Sequence, residues 1–184
     1  MKELIVFIDS GDTLVDESTE IRDERGVVLQ AELIPGAAEA LRMLRRQGYR
    51  IALVADGLRE SFDHIYRQHG LEDCFEVRAI SDDLGVCKPH PRMFLSAMEQ
   101  MGLSEADKGR IAMVGNNIER DITGANRMGF ISILMSWTTR YRMQPRTPEE
   151  TPDFIAASPD KLPALLEKLD RQVKTPAGFA KNRK

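Results

Sequence analysis

Carboxylates and small polar residues follow the first apolar segment of the chain. The stretch "LIVFIDSGDTLVDE" (residues 4–17) passes from five apolar residues directly to Asp9, and Asp12 and Thr13 come within the next four positions. Other polar candidates stand just after an apolar segment or near the start of a helical one: Asp56, Gly57, Lys88, Asn116 and Asp121. Carboxylate and amide oxygens bind Mg²⁺, and a metal ion together with an ammonium group neutralises phosphoryl oxygens. These residue types therefore predict a site for a divalent cation and a phosphate.

The elements that must position these residues alternate along the chain. Six apolar segments have the length of a β-strand: residues 4–8, 49–55, 75–80, 110–115, 130–136 and 153–158. Segments with a helical apolar period accompany them: residues 36–48, 58–70, 91–102, 118–129 and 158–172. This alternation predicts a doubly wound, Rossmann-like α/β fold, with a parallel sheet and helices on both faces. Ligands of such sheets bind beyond the carboxyl ends of the strands, where the polar candidates are expected to meet.

One segment departs from this alternation. Residues 19–33 contain Glu-Arg-Gly between two alternating runs, which predicts a β-hairpin that projects from the sheet as a small flap. We expect a single α/β domain over residues 1–170, a length that suits one hydrophobic core. Residues 171–184 hold five Lys or Arg and no acid, and are expected to form a disordered basic tail.

Composition and charge argue against several classes of partner. The net charge is −3, and without the basic tail it is −8, so an acidic body argues against nucleic-acid binding. No apolar run is long enough to span a membrane, and membrane association is not expected. Cys74 and Cys87 lack the spacing of a zinc site, which indicates free thiols in a reducing compartment. We therefore expect a cytoplasmic protein.

Four segments, in chain order, resemble the four motifs of the haloacid dehalogenase-like (HAD) hydrolase superfamily: "FIDSGDTLVD", "IALVADG", "CKPHPRMF" and "MVGNNIERDITGAN". The resemblance extends over about residues 3 to 170. It implies that Asp9 is a nucleophile that attacks phosphorus and forms an aspartyl-phosphate. It also implies a Mg²⁺ cofactor, held by Asp9, the Gly11 carbonyl, Asn116 and Asp121.

The resemblance assigns roles to the remaining candidates as well. Lys88 matches the lysine that neutralises the nucleophile and the transferring phosphoryl group, and Thr13 matches a threonine that supports the turn after the nucleophile. Ala55 stands where the family binds a phosphoryl oxygen through Ser or Thr, and the backbone amides of Asp56 and Gly57 are expected to donate there. The implied reaction is hydrolysis of a phosphate ester on a phosphorylated small molecule or macromolecule.

Three residues depart from the family pattern in ways that bear on chemistry. Gly11 replaces the Asp that serves phosphatases of the family as general acid and base, and Asp12 is the alternative proton donor in this turn. Ala55 lacks the hydroxyl donor, and Asn116 replaces an Asp that would bind the metal with a full charge. The alternative hypothesis is a catalytically impaired protein that binds a phosphorylated ligand or partner in a regulatory role. A haloacid dehalogenase is a third hypothesis, although a cap to line a halide pocket is not expected.

The spacing of the motifs leaves no room for a cap domain. Only 46 positions separate Asp9 from Ala55, and 33 separate Ala55 from Lys88. These intervals hold one predicted hairpin, two helices and a short strand. We therefore expect a capless member with an open site, and a homo-oligomer is one way in which a second subunit would cover it.

Overall fold

A six-stranded parallel sheet forms the centre of the structure, a computed structural model that describes residues 2–174. Its strands are β1 Ile5–Ile8, β4 Arg50–Ala55, β5 Val77–Ile80, β6 Ile111–Gly115, β7 Ile131–Met135 and β8 Phe154–Ala156. They lie in the order β5-β4-β1-β6-β7-β8. Two short strands, β2 Ile21–Arg22 and β3 Val28–Gln30, form a separate antiparallel hairpin.

Helices cover both faces of the sheet. They are α1 Ala37–Arg46, α2 Arg59–Gln68, α3 Ser81–Leu84, α4 Pro91–Gln100, α5 Thr123–Met128 and α6 Leu162–Val173. Alternate residues of a strand point to opposite faces, so Val6 and Ile8 of β1 pack with α1, α2 and α6. Ile5 and Phe7 pack on the other face with α4 and α5. Burial on both faces explains why the first apolar segment is continuous rather than alternating.

The path of the chain creates a crevice at the carboxyl end of β1. From β1 the chain runs outwards to β4 and β5, and it then returns to the opposite side of β1 to form β6, β7 and β8. The connection after β1 therefore runs to one side of the sheet, and the connection after β6 runs to the other side. Such a switch point is where open α/β sheets bind their ligands.

The predicted doubly wound α/β fold is confirmed, and all six predicted strand segments form strands of the sheet. The differences concern the ends of elements. Residues 118–129 begin as a π-helical turn over Ile118–Ile122 before α5. Helix α6 continues to Val173, so the expected boundary at residue 170 falls inside a helix. The rest of the predicted tail, from residue 175 onwards, lies outside the described residues.

The predicted hairpin is present, but it lies against α2 instead of projecting. Val28 donates its backbone N–H to Ser61 Oγ at 2.9 Å, and His64 Nδ1 lies 3.0 Å from the Val28 carbonyl oxygen. His69 Nε2 is 2.8 Å from the carbonyl oxygen of Ala31. His64 of α2 and His69, directly after it, thus connect the hairpin to this helix.

Within residues 2–174 no separate cap domain interrupts the sheet. The hairpin, a 3₁₀ turn over Glu17–Thr19 and helix α1 fill the interval between β1 and β4. No helix among these residues is both long and apolar enough to cross a membrane.

Candidate active site

Asp9 stands at the point where the central strand ends. Its backbone N–H still donates to the Val114 carbonyl oxygen of β6 at 2.9 Å, which continues the ladder for one more residue. The chain then turns sharply, because the N–H groups of Thr13, Leu14 and Val15 all donate to the Ser10 carbonyl oxygen. The turn leaves the Asp9 side chain at the carboxyl edge of the sheet, 9% exposed.

Lys88 links Asp9 to the second predicted acid. Its ammonium Nζ donates to Asp9 Oδ1 and to Asp121 Oδ1, each at 2.7 Å, and the residue is only 3% exposed. Asp56 holds the backbone of the lysine, since Asp56 Oδ1 accepts the Lys88 backbone N–H at 2.9 Å. Burial alone would lower the pKa of Lys88, but the Asp121 and Asp9 carboxylates raise it above its usual value. The lysine is therefore a permanent cation between two carboxylates.

Asp121 reaches this cluster because the strand before it ends in glycine. A Cβ atom on Gly115 would lie 2.3 Å from Asp121 Cγ, so only glycine allows the carboxyl group to lie over the end of β6. The π-helical turn supplies the second contact, in which the Asn117 backbone N–H donates to Asp121 Oδ2 at 3.0 Å. Burial raises the pKa of Asp121, and the Lys88 ammonium opposes this rise. An added cation would favour the ionised form.

The donor set at this edge fits a magnesium ion. Within residues 2–174 no three His, Cys, Asp or Glu side chains are arranged around a common metal position. An ion here would instead take the carboxylates of Asp9 and Asp121, the Gly11 carbonyl and the Asn116 amide oxygen. Asn116 is 2% exposed, and its amide nitrogen makes no hydrogen bond to the described residues. Its side chain is thus not used to hold the fold, and all four donors are the hard oxygens that Mg²⁺ prefers.

Two adjoining clefts open at the carboxyl edge of the sheet. The first, here the acidic cleft, has a volume of about 40 Å³ and is lined mainly by Asp9, Lys88, Asn116, Arg120, Asp121 and Tyr141. The second, the hairpin cleft, has a volume of about 70 Å³ and is lined by residues that include Ser10, Val15, Arg22, Val28, Leu58 and Phe62. Gly11, Glu17 and Asp56 line both clefts. A phosphate in the first cleft would therefore carry its leaving group into the second.

Glu17 is the acid between the two clefts. Its Oε2 atom lies 3.7 Å from Arg140 Nε, and its side chain is 29% exposed. Burial raises the pKa of the Glu17 carboxyl to about 7. Neighbouring carboxylates, first that of Asp12, add to this rise, and the Arg140 guanidinium opposes it. Glu17 therefore holds its proton to a higher pH than an ordinary surface glutamate does.

The structure places two predicted catalytic residues away from the clefts. The Asp12 carboxylate is ion-paired with the Arg140 guanidinium and also accepts the Glu17 backbone N–H at 3.2 Å. Since it is 1% exposed and so engaged, Asp12 is not in position to act as the replacement proton donor. Thr13 is fully buried, and its hydroxyl makes no hydrogen bond to the described residues, so the turn is held by backbone amides instead.

The predicted phosphate-binding residues also differ in availability. Ala55 is fully buried in the core and contributes to neither cleft as described. The Gly57 backbone N–H, expected to donate to phosphate, donates to Ser81 Oγ at 2.9 Å. Asp56 directs its side chain to Lys88 and, at 3.5 Å, to Arg120. The phosphate-binding role of this strand end stays a prediction, and of its two expected amide donors that of Gly57 is engaged with Ser81.

Sequence reasoning missed four residues that line or brace the acidic cleft: Glu17, Arg120, Arg140 and Tyr141. Glu17 lies close to the first motif, so its distance of eight positions from Asp9 was the only available signal. Arg120 lies inside the fourth motif, directly before Asp121, but no role was expected for it. Arg140 and Tyr141 lie in a segment that carried no pattern, and folding alone brings them to the site.

Comparisons with known proteins agree with this geometry. The family model described as hydrolase, haloacid dehalogenase-like hydrolase, matches residues 4–129. A glyceraldehyde 3-phosphate phosphatase from Methanopyrus kandleri is 29% identical over 136 residues, which are 73% of this chain and 57% of the relative. A pyrophosphatase PpaX from Bacillus cereus is 30% identical over 133 residues, 72% of this chain and 59% of the relative. The chain thus spans little more than half the length of these two proteins.

A solved structure shows the same fold over almost its whole length. The crystal structure of a HAD phosphatase from Thermococcus onnurineus superposes with a TM-score of 0.70 at 18% sequence identity. The superposition covers 89% of this chain and 97% of that one. At this identity the likeness concerns the fold alone.

Proposed function

Because this chain belongs to the haloacid dehalogenase-like hydrolase family, we propose that it is a Mg²⁺-dependent phosphohydrolase that uses Asp9 as its nucleophile. One observation carries the proposal. A buried lysine holds the Asp9 carboxylate at 2.7 Å, at the switch point of the sheet and beside a set of oxygen donors suited to a divalent cation. Such an arrangement orients one carboxylate oxygen and leaves the other facing the acidic cleft.

The positions of these groups support a two-step reaction. Asp9 attacks the phosphorus of a bound ester, the bond to the leaving oxygen breaks, and an aspartyl-phosphate forms. Water then attacks this intermediate, which releases inorganic phosphate and regenerates the carboxylate. Lys88 neutralises negative charge that develops on the phosphoryl oxygens, while Asp56 keeps the lysine in place. When bound, Mg²⁺ would polarise the phosphoryl group and reduce its repulsion from Asp9.

The substrate class is a phosphorylated small molecule, or a phosphorylated side chain of a macromolecule. The two relatives described above are a glyceraldehyde 3-phosphate phosphatase and a pyrophosphatase, which supports a small phosphorylated compound. The hairpin cleft, with a volume of about 70 Å³, would accommodate a leaving group of a few atoms. The free thiols of Cys74 and Cys87 support a cytoplasmic setting. Since no cap covers the site, a homo-oligomer would be a further source of water exclusion.

A regulatory protein that binds a phosphorylated ligand without turnover is the second candidate. The Gly57 amide is already engaged with Ser81, and Ala55 offers no hydroxyl, so fewer donors than expected remain for a phosphoryl group. Losing one such donor costs about a hundredfold or more in rate. Ligand binding itself would survive this loss, because Lys88 and the oxygen donors remain.

A phosphoryl analogue distinguishes the two candidates. With Mg²⁺ and fluoroberyllate, the wild-type protein is expected to form an adduct on Asp9 that ¹⁹F NMR detects, and to hydrolyse members of a phosphate-ester panel. Asp9→Asn should lose both properties, whereas Asp73→Asn, an exposed carboxylate far along the chain, should keep them. An adduct without turnover would favour the regulatory candidate. Unchanged turnover in Asp9→Asn would show that the nucleophile is wrongly assigned.

A further inference from the structure

The space left by Gly11 is filled by the carboxyl group of Glu17. A Cβ atom built on Gly11 would lie 1.9 Å from Glu17 Oε1 and 2.8 Å from Glu17 Cδ. A side chain at position 11 and the observed position of Glu17 therefore exclude each other. Where family phosphatases place a carboxyl group through residue 11, this chain brings one to the same space from residue 17.

Backbone conformation does not explain the glycine. The φ angle of Gly11 lies outside the left-handed region, whereas that of the next residue, Asp12, is 47°. Glycine is favoured over other residues where the backbone is left-handed. A conformational requirement for glycine would therefore apply to position 12 and not to position 11. Position 11 instead leaves room for the end of the Glu17 side chain, which a side chain on residue 11 would displace.

The backbone of Glu17 is anchored, and its carboxyl group lies beside one cation. Its own backbone N–H donates to Asp12 Oδ1 at 3.2 Å, and Asp16 caps the 3₁₀ turn by accepting the Ser18 N–H at 2.9 Å. Arg140 Nε is 3.7 Å from Oε2, which leaves Oε1 as the atom directed over Gly11. The group lines both the acidic cleft and the hairpin cleft, between Asp9 and the space for a leaving group.

We propose that Glu17 is the proton donor and acceptor of this active site, an assignment that rests on the proposed phosphohydrolase function. In the first step Asp9 attacks phosphorus, the bond from phosphorus to the leaving oxygen breaks, and the Glu17 carboxyl proton passes to that oxygen. In the second step the Glu17 carboxylate takes a proton from water while the water oxygen attacks the aspartyl-phosphate. The bond from phosphorus to Asp9 breaks, phosphate leaves, and Glu17 is protonated again.

The dependence on the leaving group tests this role. In Glu17→Gln, first-turnover cleavage of an alkyl phosphate such as glycerol phosphate should fall by about 10²- to 10⁴-fold, because the alkoxide needs a proton as it leaves. First-turnover release of p-nitrophenolate from its phosphate ester should fall by less than about tenfold, because this anion leaves without protonation. Aspartyl-phosphate should also accumulate in rapid-quench samples, since water is no longer deprotonated. A purely structural role for Glu17 would lower both cleavage rates by the same factor.

Relocating the carboxyl group gives a second, independent test. Gly11→Asp/Glu17→Ala places the acid on residue 11 and removes the steric conflict, and it should recover alkyl phosphate cleavage relative to Glu17→Ala. Glu24→Gln, on the exposed hairpin turn, is the matched control and should behave as wild type. Equal losses on both esters, or full alkyl phosphate turnover in Glu17→Gln, would overturn the assignment. If wild type forms neither phenolate burst nor aspartyl-phosphate, the proposed function fails first, and the role of Glu17 with it.

Discussion

Replacing Lys88 by methionine should destabilise the protein by about 3–5 kcal/mol, because two buried carboxylates would lose their shared counter-ion. Lys88 Nζ is 2.7 Å from both Asp9 Oδ1 and Asp121 Oδ1, so these two oxygens lie no more than about 5.4 Å apart. At an effective dielectric constant of about 20, two unit charges at that separation repel each other by about 3 kcal/mol. Methionine retains most of the apolar length of the lysine side chain, so the substitution removes charge rather than volume.

Urea unfolding at neutral pH with a chelator present would measure this loss. Lys161→Met is the matched control, since Lys161 is 65% exposed where it pairs with Asp160, and its loss should cost no more than about 1 kcal/mol. Adding Asp121→Asn to Lys88→Met removes one of the opposed charges and should restore part of the lost free energy of unfolding. If Lys88→Met costs no more than Lys161→Met, or Asp121→Asn adds a further loss, the carboxylates do not repel as described.

Two other substitutions test how the sheet is anchored and how its helices pack. Asp170→Asn should cost about 1–3 kcal/mol relative to Glu99→Gln, because the Asp170 carboxylate accepts the backbone N–H groups of Glu3 and Leu4 ahead of β1. Burial opposes ionisation, but these amides hold the pKa of Asp170 below its usual value. This stabilisation should therefore be present above the unfolded-state pKa of about 3.9 and disappear as pH falls through the folded-state value, which acid-dependent melting would show. Gly124→Ala should cost about 1–3 kcal/mol in thermal unfolding, because its Cβ would lie 2.4 Å from Phe94 Cζ, whereas Gly109→Ala meets no atom within 4 Å.

The sheet could be predicted because each strand is marked by local sequence. The segments 49–55 and 130–136 are apolar except for Arg50, Ser132 and Ser136, and mainly apolar runs of that length are typical of strands buried on both faces of a sheet. The π-helical turn over Ile118–Ile122 could not be predicted in this way, because its residues fit a helical period equally well. The position of the hairpin depends on contacts from His64 and His69 to backbone carbonyls that lie more than thirty residues away. A local sequence pattern does not predict such long-range contacts.

The same distinction between local patterns and long-range contacts applies to the residues of the site. The ion pairs of Lys88 with Asp9 and Asp121 follow from chain order and fold, because the carboxyl ends of β1 and β6 and the loop before α4 must meet at one edge. The role expected for Asp12 stays a prediction, and the structure adds a contact that argues against it and that the sequence does not reveal. Arg140 comes from a loop 128 positions away and pairs with that carboxylate, which leaves it unavailable to a substrate.

The three departures from the family pattern have unequal consequences once the side chains are in place. Asn116 lines the acidic cleft together with Asp9 and Asp121, so a cation bound there would lose one charge of its ligands but no oxygen donor. Nothing replaces the hydroxyl missing at Ala55, because the nearby Gly57 amide already donates to Ser81. The loss at Gly11 is different, since the Glu17 carboxyl group lies where a side chain would have been. Counting substitutions in the motifs therefore overstates the damage, because the proton-transfer group has changed its position in the sequence but not in space.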